Sequence, residues 1–224
     1  MVVLQLVLNK NLYSKDPQSS ELGQRITEHS IEMIHQLGFE GFTFKKLSDR
    51  IDCTEASVYR YFENKHRLLV YLITWYWAWL DYRIEYETHN LEDPKTKLSR
   101  ALRIITEKKM KDPAFPDINE EALHKIVIAE SHKIYLAKQV DEDNKDGFFR
   151  GYKSLCKKIA EFITEINPSY PYPSTIVSTA MMVANQQIFF AEHLPSLTEL
   201  SKEDDPYMAN YEFLKSMIFQ TIEA

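Results

Sequence analysis

The sequence predicts an all-α fold: an N-terminal three-helix unit with a helix-turn-helix, followed by a larger helical body. Three observations lead there. Only five glycines and nine prolines punctuate 224 residues, and most prolines cluster near 94, 113–116, 168–173, 195 and 206, leaving long uninterrupted segments. Apolar residues make up 44% of the chain and recur in those segments with helical spacing. Between Thr43 and Phe62, two short helical patterns are separated by a turn of only three residues, the signature of a helix-turn-helix.

The first helix spans 20–37, with Leu22, Ile26, Met33, Ile34 and Leu37 on one face and Gly38 as its stop. Thr43 then caps a second helix running to about Ile51, with Phe42 and Leu47 spaced as a hydrophobic staple. Asp52-Cys53-Thr54 is the turn, Asp52 tolerating left-handed geometry, and Thr54 caps a third helix from Glu55 to about Phe62. Val58 and Phe62 should face inward, leaving Ser57, Tyr59, Arg60 and Tyr61 free to approach a DNA groove or its phosphates. Asn64 caps the next helix, whose first turn, Lys65-His66-Arg67, is cationic where the helix dipole favours an anion. A phosphate at that helix start would relieve the conflict; a solvated charge cluster is the plain alternative.

Charge does not advertise a nucleic-acid binder: the net is −6 over the chain and −1 over 20–70. Residues 45–67 nevertheless carry six basic against four acidic side chains, so DNA contact must rest on placed residues and not on a broad field. Cys53 and Cys156 match no metal or redox spacing; both read as small buried apolar residues in a reducing, cytoplasmic setting. The opening Met1-Val2-Val3-Leu4-Gln5-Leu6-Val7-Leu8 lacks the basic start and cleavage site of a signal peptide. For residues 1–19 a disordered arm, a swapped strand and a misplaced translation start stay open. The thirteen-residue apolar run Leu68–Leu80 is short of the roughly 20 residues of a membrane span, so a buried helix is expected there and no membrane partner.

The stretches Gly41-Phe42-Thr43-Phe44-Lys45-Lys46-Leu47-Ser48, Thr54-Glu55-Ala56-Ser57-Val58-Tyr59-Arg60-Tyr61-Phe62 and Asn64-Lys65-His66-Arg67-Leu68-Leu69 resemble the tetracycline-repressor (TetR) family of regulators. The resemblance covers 20–70 closely. It implies that Thr43, Ser57, Tyr59 and Lys65 touch phosphates, that Glu55, Ala56, Arg60 and Tyr61 lie where bases are read, and that Thr54 belongs to the same DNA-facing set. Three departures stand out. Ile51-Asp52-Cys53 replaces the usual Ala-Gly-Val, Phe44 stands where a second threonine is common, and Glu55 sets a carboxylate toward DNA, where only a cytosine amino group or a basic neighbour welcomes it.

The resemblance further implies that 20–66 is the DNA-binding domain and 67–224 an effector-binding and dimerisation domain. Helices are expected over 64–87, 95–111, 118–140, 144–167, 173–194 and 206–223. The last two would make a homodimer interface, with Ile176, Ala180, Val183, Ala184, Gln187, Ile188 and Ala191 suited to helix packing, either within the chain or against a partner. Of the aromatic residues around 71–82, Trp75, Trp79 and Tyr82 share one helix face and are the ligand-pocket candidates, with ordinary core as the plainer reading. Glu121-Ala122-Leu123-His124 has the spacing of a di-iron ligand pair but no second copy, so no metal or other cofactor is expected. Phosphate-cradling loops, G-x-S-x-G and H-E-x-x-H are missing from the sequence, which argues against an enzyme and names no catalytic residue. The expectation is a homodimeric repressor that binds a palindromic double-stranded operator and releases it on meeting a small-molecule effector. A ligand-free architectural DNA binder and an all-helical enzyme or carrier with a vestigial helix-turn-helix are the alternatives.

Overall fold

The computed structural model describes residues 5–223; Met1–Leu4 lie outside the described residues. Among these residues there are eleven α-helices, a few short 3-10 turns and no strand, so the all-α expectation holds. The helices are α1 (Glu21–Gly41), α2 (Phe44–Arg50), α3 (Glu55–Tyr59), α4 (Lys65–Thr88), α5 (Pro94–Thr106), α6 (Glu120–Glu130), α7 (His132–Tyr135), α8 (Val140–Lys145), α9 (Arg150–Ile166), α10 (Pro173–His193) and α11 (Pro206–Ile222). No helix is long and apolar enough to cross a membrane.

Three of these boundaries depart from the periodicity. The helix expected over 95–111 ends at Thr106, because Glu107 turns to extended backbone and is held there by Arg83 at 2.6 Å. The span 118–140 divides: α6 stops at Ser131, whose backbone is still helical, and α7 unwinds at Leu136. Such a break leaves the apolar pattern intact and is invisible to it. The helix expected from 144 starts only at Arg150, after Gly147 has turned the chain with φ 79°.

The chain forms two compact units, one of residues up to Trp79 with Lys109–Gly151, the other of Leu80–Lys108 with Tyr152 onward. In the first unit the helix-turn-helix packs with α6, α7 and α8, a grouping that the division at residue 66 does not anticipate. Polar contacts at two places explain it. Glu130 of α6 accepts the Phe39 N–H at 3.0 Å, just after Gly38 has broken α1 with φ 70°, and Lys133 reaches Glu40 at 2.6 Å. Asp143 of α8 meets His66 and Arg67 at the start of α4, both at 3.4 Å.

Residues 5–19 follow a defined course over this unit. Leu8 and Leu12 are buried, the Ser14 N–H donates to the Tyr61 carbonyl at 2.9 Å, and Asn9 donates to the Asp146 carbonyl. The arm comes so near α1 that a Cβ on Gly23 would sit 2.3 Å from the Pro17 carbonyl oxygen.

In the second unit Leu98 and Leu102 of α5, Leu155 and Ile159 of α9, and Leu214 and Ile218 of α11 are buried. Of the small-residue stripe on α10, Ile176, Ala180, Ala184 and Ile188 are buried within the chain itself, while Val183, Gln187 and Ala191 are half-buried. Asn210 of α11, fully buried, donates to the Ala184 carbonyl at 2.8 Å and ties α11 to α10. Cys53 and Cys156 are half-buried free thiols and not the buried apolar residues expected; desolvation raises both, Cys156 to about 11.

Candidate nucleic-acid interface

The local physics of α1–α4 is that of the sequence. Thr43 accepts the Lys46 N–H and Thr54 the Ser57 N–H, both at 3.2 Å, so each short helix starts on a side-chain cap. Phe42 and Leu47 are fully buried, as the staple requires, and so are Val58 and Phe62. Asp52 takes φ 51°, the conformation a glycine would adopt more easily, and the Cys53 N–H closes the turn on the Ser48 carbonyl at 3.0 Å. Arg25 of α1 braces the same turn by donating to the Ile51 carbonyl.

On the outer side, Thr43, Thr54, Ala56, Tyr59 and Arg60 are exposed, and Glu55 and Ser57 half-exposed. The Tyr59 ring is 50% exposed, yet fixed: Phe44 meets it edge-on with ring centres 5.0 Å apart, while Phe44 itself is buried and touches Phe42. The residue that departs from the family pattern thus positions the tyrosine. The Glu55 carboxylate has no partner among the described residues, so no basic neighbour neutralises it. Lys45 and Lys46, both exposed in the first turn after the Thr43 cap, are adjacent cations that no motif singled out.

Two expectations are corrected here. Tyr61 does not face a groove: it is 2% exposed, its hydroxyl bonds Ser20 at 2.8 Å, and Lys15 of the arm lies over its ring. The helical wheel places it outward; the arm, which the wheel ignores, covers it. The cations opening α4 are also not left waiting for a phosphate. Asn64 caps the helix through the Arg67 N–H at 2.9 Å, His66 and Arg67 pair with the buried Asp143, and Arg67 lies over Phe148. Lys65 reaches the Phe39 carbonyl at 3.2 Å and lies 3.9 Å from Glu40, and its side chain is the most open of the three.

Two of the three ligand-pocket candidates adjoin: Trp75 and Trp79 stack with ring centres 6.5 Å apart. Trp75 lines a cavity in the first unit; Trp79 is buried in that unit, donating to Asp112 at 3.0 Å; Tyr82 belongs to the second unit, beside Tyr86. Near Trp79 is a buried polar cluster, of which a sequence pattern marked only His124. Tyr76 and His124 share a hydrogen bond of 2.7 Å, and burial holds the imidazole well below its ordinary range, so it is neutral. Glu120 is fully buried; one of its oxygens accepts the Asp112 N–H at 3.1 Å and the other has no partner. Desolvation, with the Asp112 carboxylate adding to it, pushes Glu120 up to about 7. Glu121 pairs with Lys125, and no group of three potential metal ligands occurs among the described residues.

Residues 26–72 match the profile of bacterial regulatory proteins of the tetR family. No curated protein sequence matches the chain. Solved structures that share its fold include three regulators. A transcriptional regulator FadR from Bacillus subtilis, in complex with stearoyl-CoA, is 13% identical with a TM-score of 0.64, covering 88% of this chain and 97% of its own. The fatty acid degradation regulator FadR from Bacillus halodurans is 14% identical at TM-score 0.60, covering 86% and 92%. AibR, in complex with isovaleryl coenzyme A and operator DNA, is 12% identical at TM-score 0.57, covering 87% and 97%.

Proposed function

We propose, from the match of residues 26–72 to the profile of tetR-family bacterial regulatory proteins, that the chain is a ligand-responsive repressor acting on double-stranded operator DNA. The observation that carries the reading is the outer surface of α2 and α3. Two side-chain-capped helix starts and a braced tyrosine present Thr43, Thr54, Ser57, Tyr59 and Arg60 together, with Lys65 beyond them. Short polar groups and helix N-termini position phosphates, and Arg60 is the side chain able to read a guanine edge by a paired hydrogen bond.

The repressor acts as a homodimer through α10 and α11, which leave Met182, Met208 and Phe213 exposed, while Val183, Gln187 and Ala191 of the α10 stripe are only half-buried. A two-fold dimer binds paired half-sites about one DNA turn, or a multiple of it, apart. The AibR and Bacillus subtilis FadR structures hold acyl-CoA ligands, and AibR holds operator DNA as well, which favours small-molecule control of this fold. Coupling between effector and DNA is typically about 1–3 kcal/mol, whereas nearly complete switching requires about 10⁴-fold preference for one state. Helix α4, unbroken from Lys65 to Thr88, is the element both sites can bias.

The test is fluorescence anisotropy on the DNA upstream of the chain's own gene against shuffled DNA, over a salt series, for wild type and Tyr59→Ala. Preferential binding that weakens with salt and collapses in the variant is expected. Indistinguishable affinity for both DNAs, with no site enriched in a genome-wide binding selection, overturns the proposal.

A further inference from the structure

The arm, residues 5–19, lies outside the segment 26–72 that matches the tetR profile, yet it is fastened to the chain just past α3. The Ser14 N–H donates to the Tyr61 carbonyl at 2.9 Å, and Tyr13 meets Tyr71 edge-on with ring centres 6.1 Å apart. Ser20, where the arm enters α1, bonds the Tyr61 hydroxyl at 2.8 Å. Residues 13–20 are thereby moored at both ends to one buried tyrosine, and the charge they carry is fixed in place. Asp16 turns back on the arm, accepting the Gln18 N–H at 2.9 Å. Lys15, in contrast, is exposed, lies 5.0 Å above the Tyr61 ring and pairs with no carboxylate among the described residues. Arg60, the residue before that tyrosine, is exposed as well. Burial raises the Tyr61 hydroxyl, but the Ser20 bond and the charges of Lys15 and Arg60 hold it below its ordinary range, so the two cations stand about the same group.

We propose that the arm is part of the DNA-binding surface and that Lys15 contacts a backbone phosphate beside the bases met by Arg60. The arrangement suits a phosphate and not a base edge. A lysine is a point charge without the fork that reads guanine, and a cation resting on a neutral ring is steadied while its charge stays uncompensated. The helix-turn-helix region brings no field of its own, with a net charge of −1 over residues 20–70, so one placed cation is a large share of the attraction. Tyr61, withdrawn from the outer surface, is then the platform that aims the arm's cation. This inference rests on the DNA-binding reading above, but not on repression or on an effector.

The experiment compares the full-length protein with Lys15→Gln and Lys15→Arg by fluorescence anisotropy on the upstream DNA and on shuffled DNA, from about 0.05 to about 0.2 M salt. Lys15 is exposed and without an ion pair, so both variants keep the fold, which a thermal melt confirms. One phosphate contact fewer lowers the slope of log affinity against log salt by about 0.9. Lys15→Gln should therefore bind both DNAs more weakly, by about fifteenfold at the lowest salt and about fourfold at the highest. Lys15→Arg, which keeps the charge, should restore the wild-type slope. An unchanged slope in Lys15→Gln overturns the assignment, since the lysine then only braces Tyr61, and so does a loss confined to the upstream DNA, because phosphates carry no sequence. Equal wild-type affinity for both DNAs and no site enriched in a genome-wide selection, with the slope still lowered in Lys15→Gln, sinks the repressor reading and sustains this one. A wild type that binds neither DNA at the lowest salt sinks both.

Discussion

Glu120 offers a quantitative test of how the loop beneath Trp79 is held. Its carboxyl is fully buried, with one oxygen on the Asp112 N–H and the other unpartnered, and it titrates near 7 in place of the usual 4.5. Between those values the folded chain holds a proton that the unfolded chain has released. Its contribution to stability is therefore complete below about pH 4.5 and is lost as the pH rises through 7. A shift of this size corresponds to about 3 kcal/mol in full, of which about 2.5 kcal/mol falls between pH 5 and 8. Glu120→Gln keeps an acceptor for the Asp112 N–H and removes the titration. Its leftover amide donors cost a roughly constant amount at every pH. Urea unfolding of both proteins at fixed concentration, from pH 5 to 8, isolates the effect in the difference between them. Wild type should lose about 2.5 kcal/mol more than the variant across that range, the loss centred between 5 and 7. A difference that stays flat with pH refutes the burial argument, and one that grows in the opposite direction shows a Glu120 held ionised by a contact absent from this account.

Two further substitutions address the arm and the start of α4. Gly23→Ala puts a methyl group 2.3 Å from the Pro17 carbonyl oxygen, so the arm must lift from α1; limited proteolysis should cut within residues 5–19 much sooner than in wild type, at little cost to the helical circular dichroism. Asp143→Asn leaves His66 and Arg67 without their buried anion and should lower the unfolding free energy by about 2 kcal/mol, measured by urea unfolding.

Caps, staple and turn were legible in the sequence because each is a local device. Thr43, Thr54 and Asn64 act on backbone within three residues, and Asp52 adopts its left-handed conformation alone. Tyr61 was misplaced because its cover comes from Ser20 and Lys15, some forty residues earlier, and no periodicity encodes that approach. His66 and Arg67 find their anion 76 or more residues away, a pairing that charge patterning along one helix misses. The longer helices were legible; the interruption at Ser131 was not, since a break of one residue leaves the apolar rhythm almost unchanged, nor were the short α8 and the turn at 146–149 that follows it. Glu120 stayed hidden for a related reason: a glutamate in the first turn of a helix reads as an ordinary dipole partner, and only the fold reveals that it points inward.

The edge-on contact between Phe44 and Tyr59 bears on how quickly and how selectively this surface could engage a duplex. A tyrosine free to swing must be arrested on arrival, and immobilising such a side chain takes about 0.5–1.5 kcal/mol from the binding energy. Here that freedom has already been surrendered when the chain folds. The docked surface is closer to a die than to a brush: encounters in the wrong register find a rigid ring in the way, and those in the right one need no rearrangement of it before the first phosphate is met.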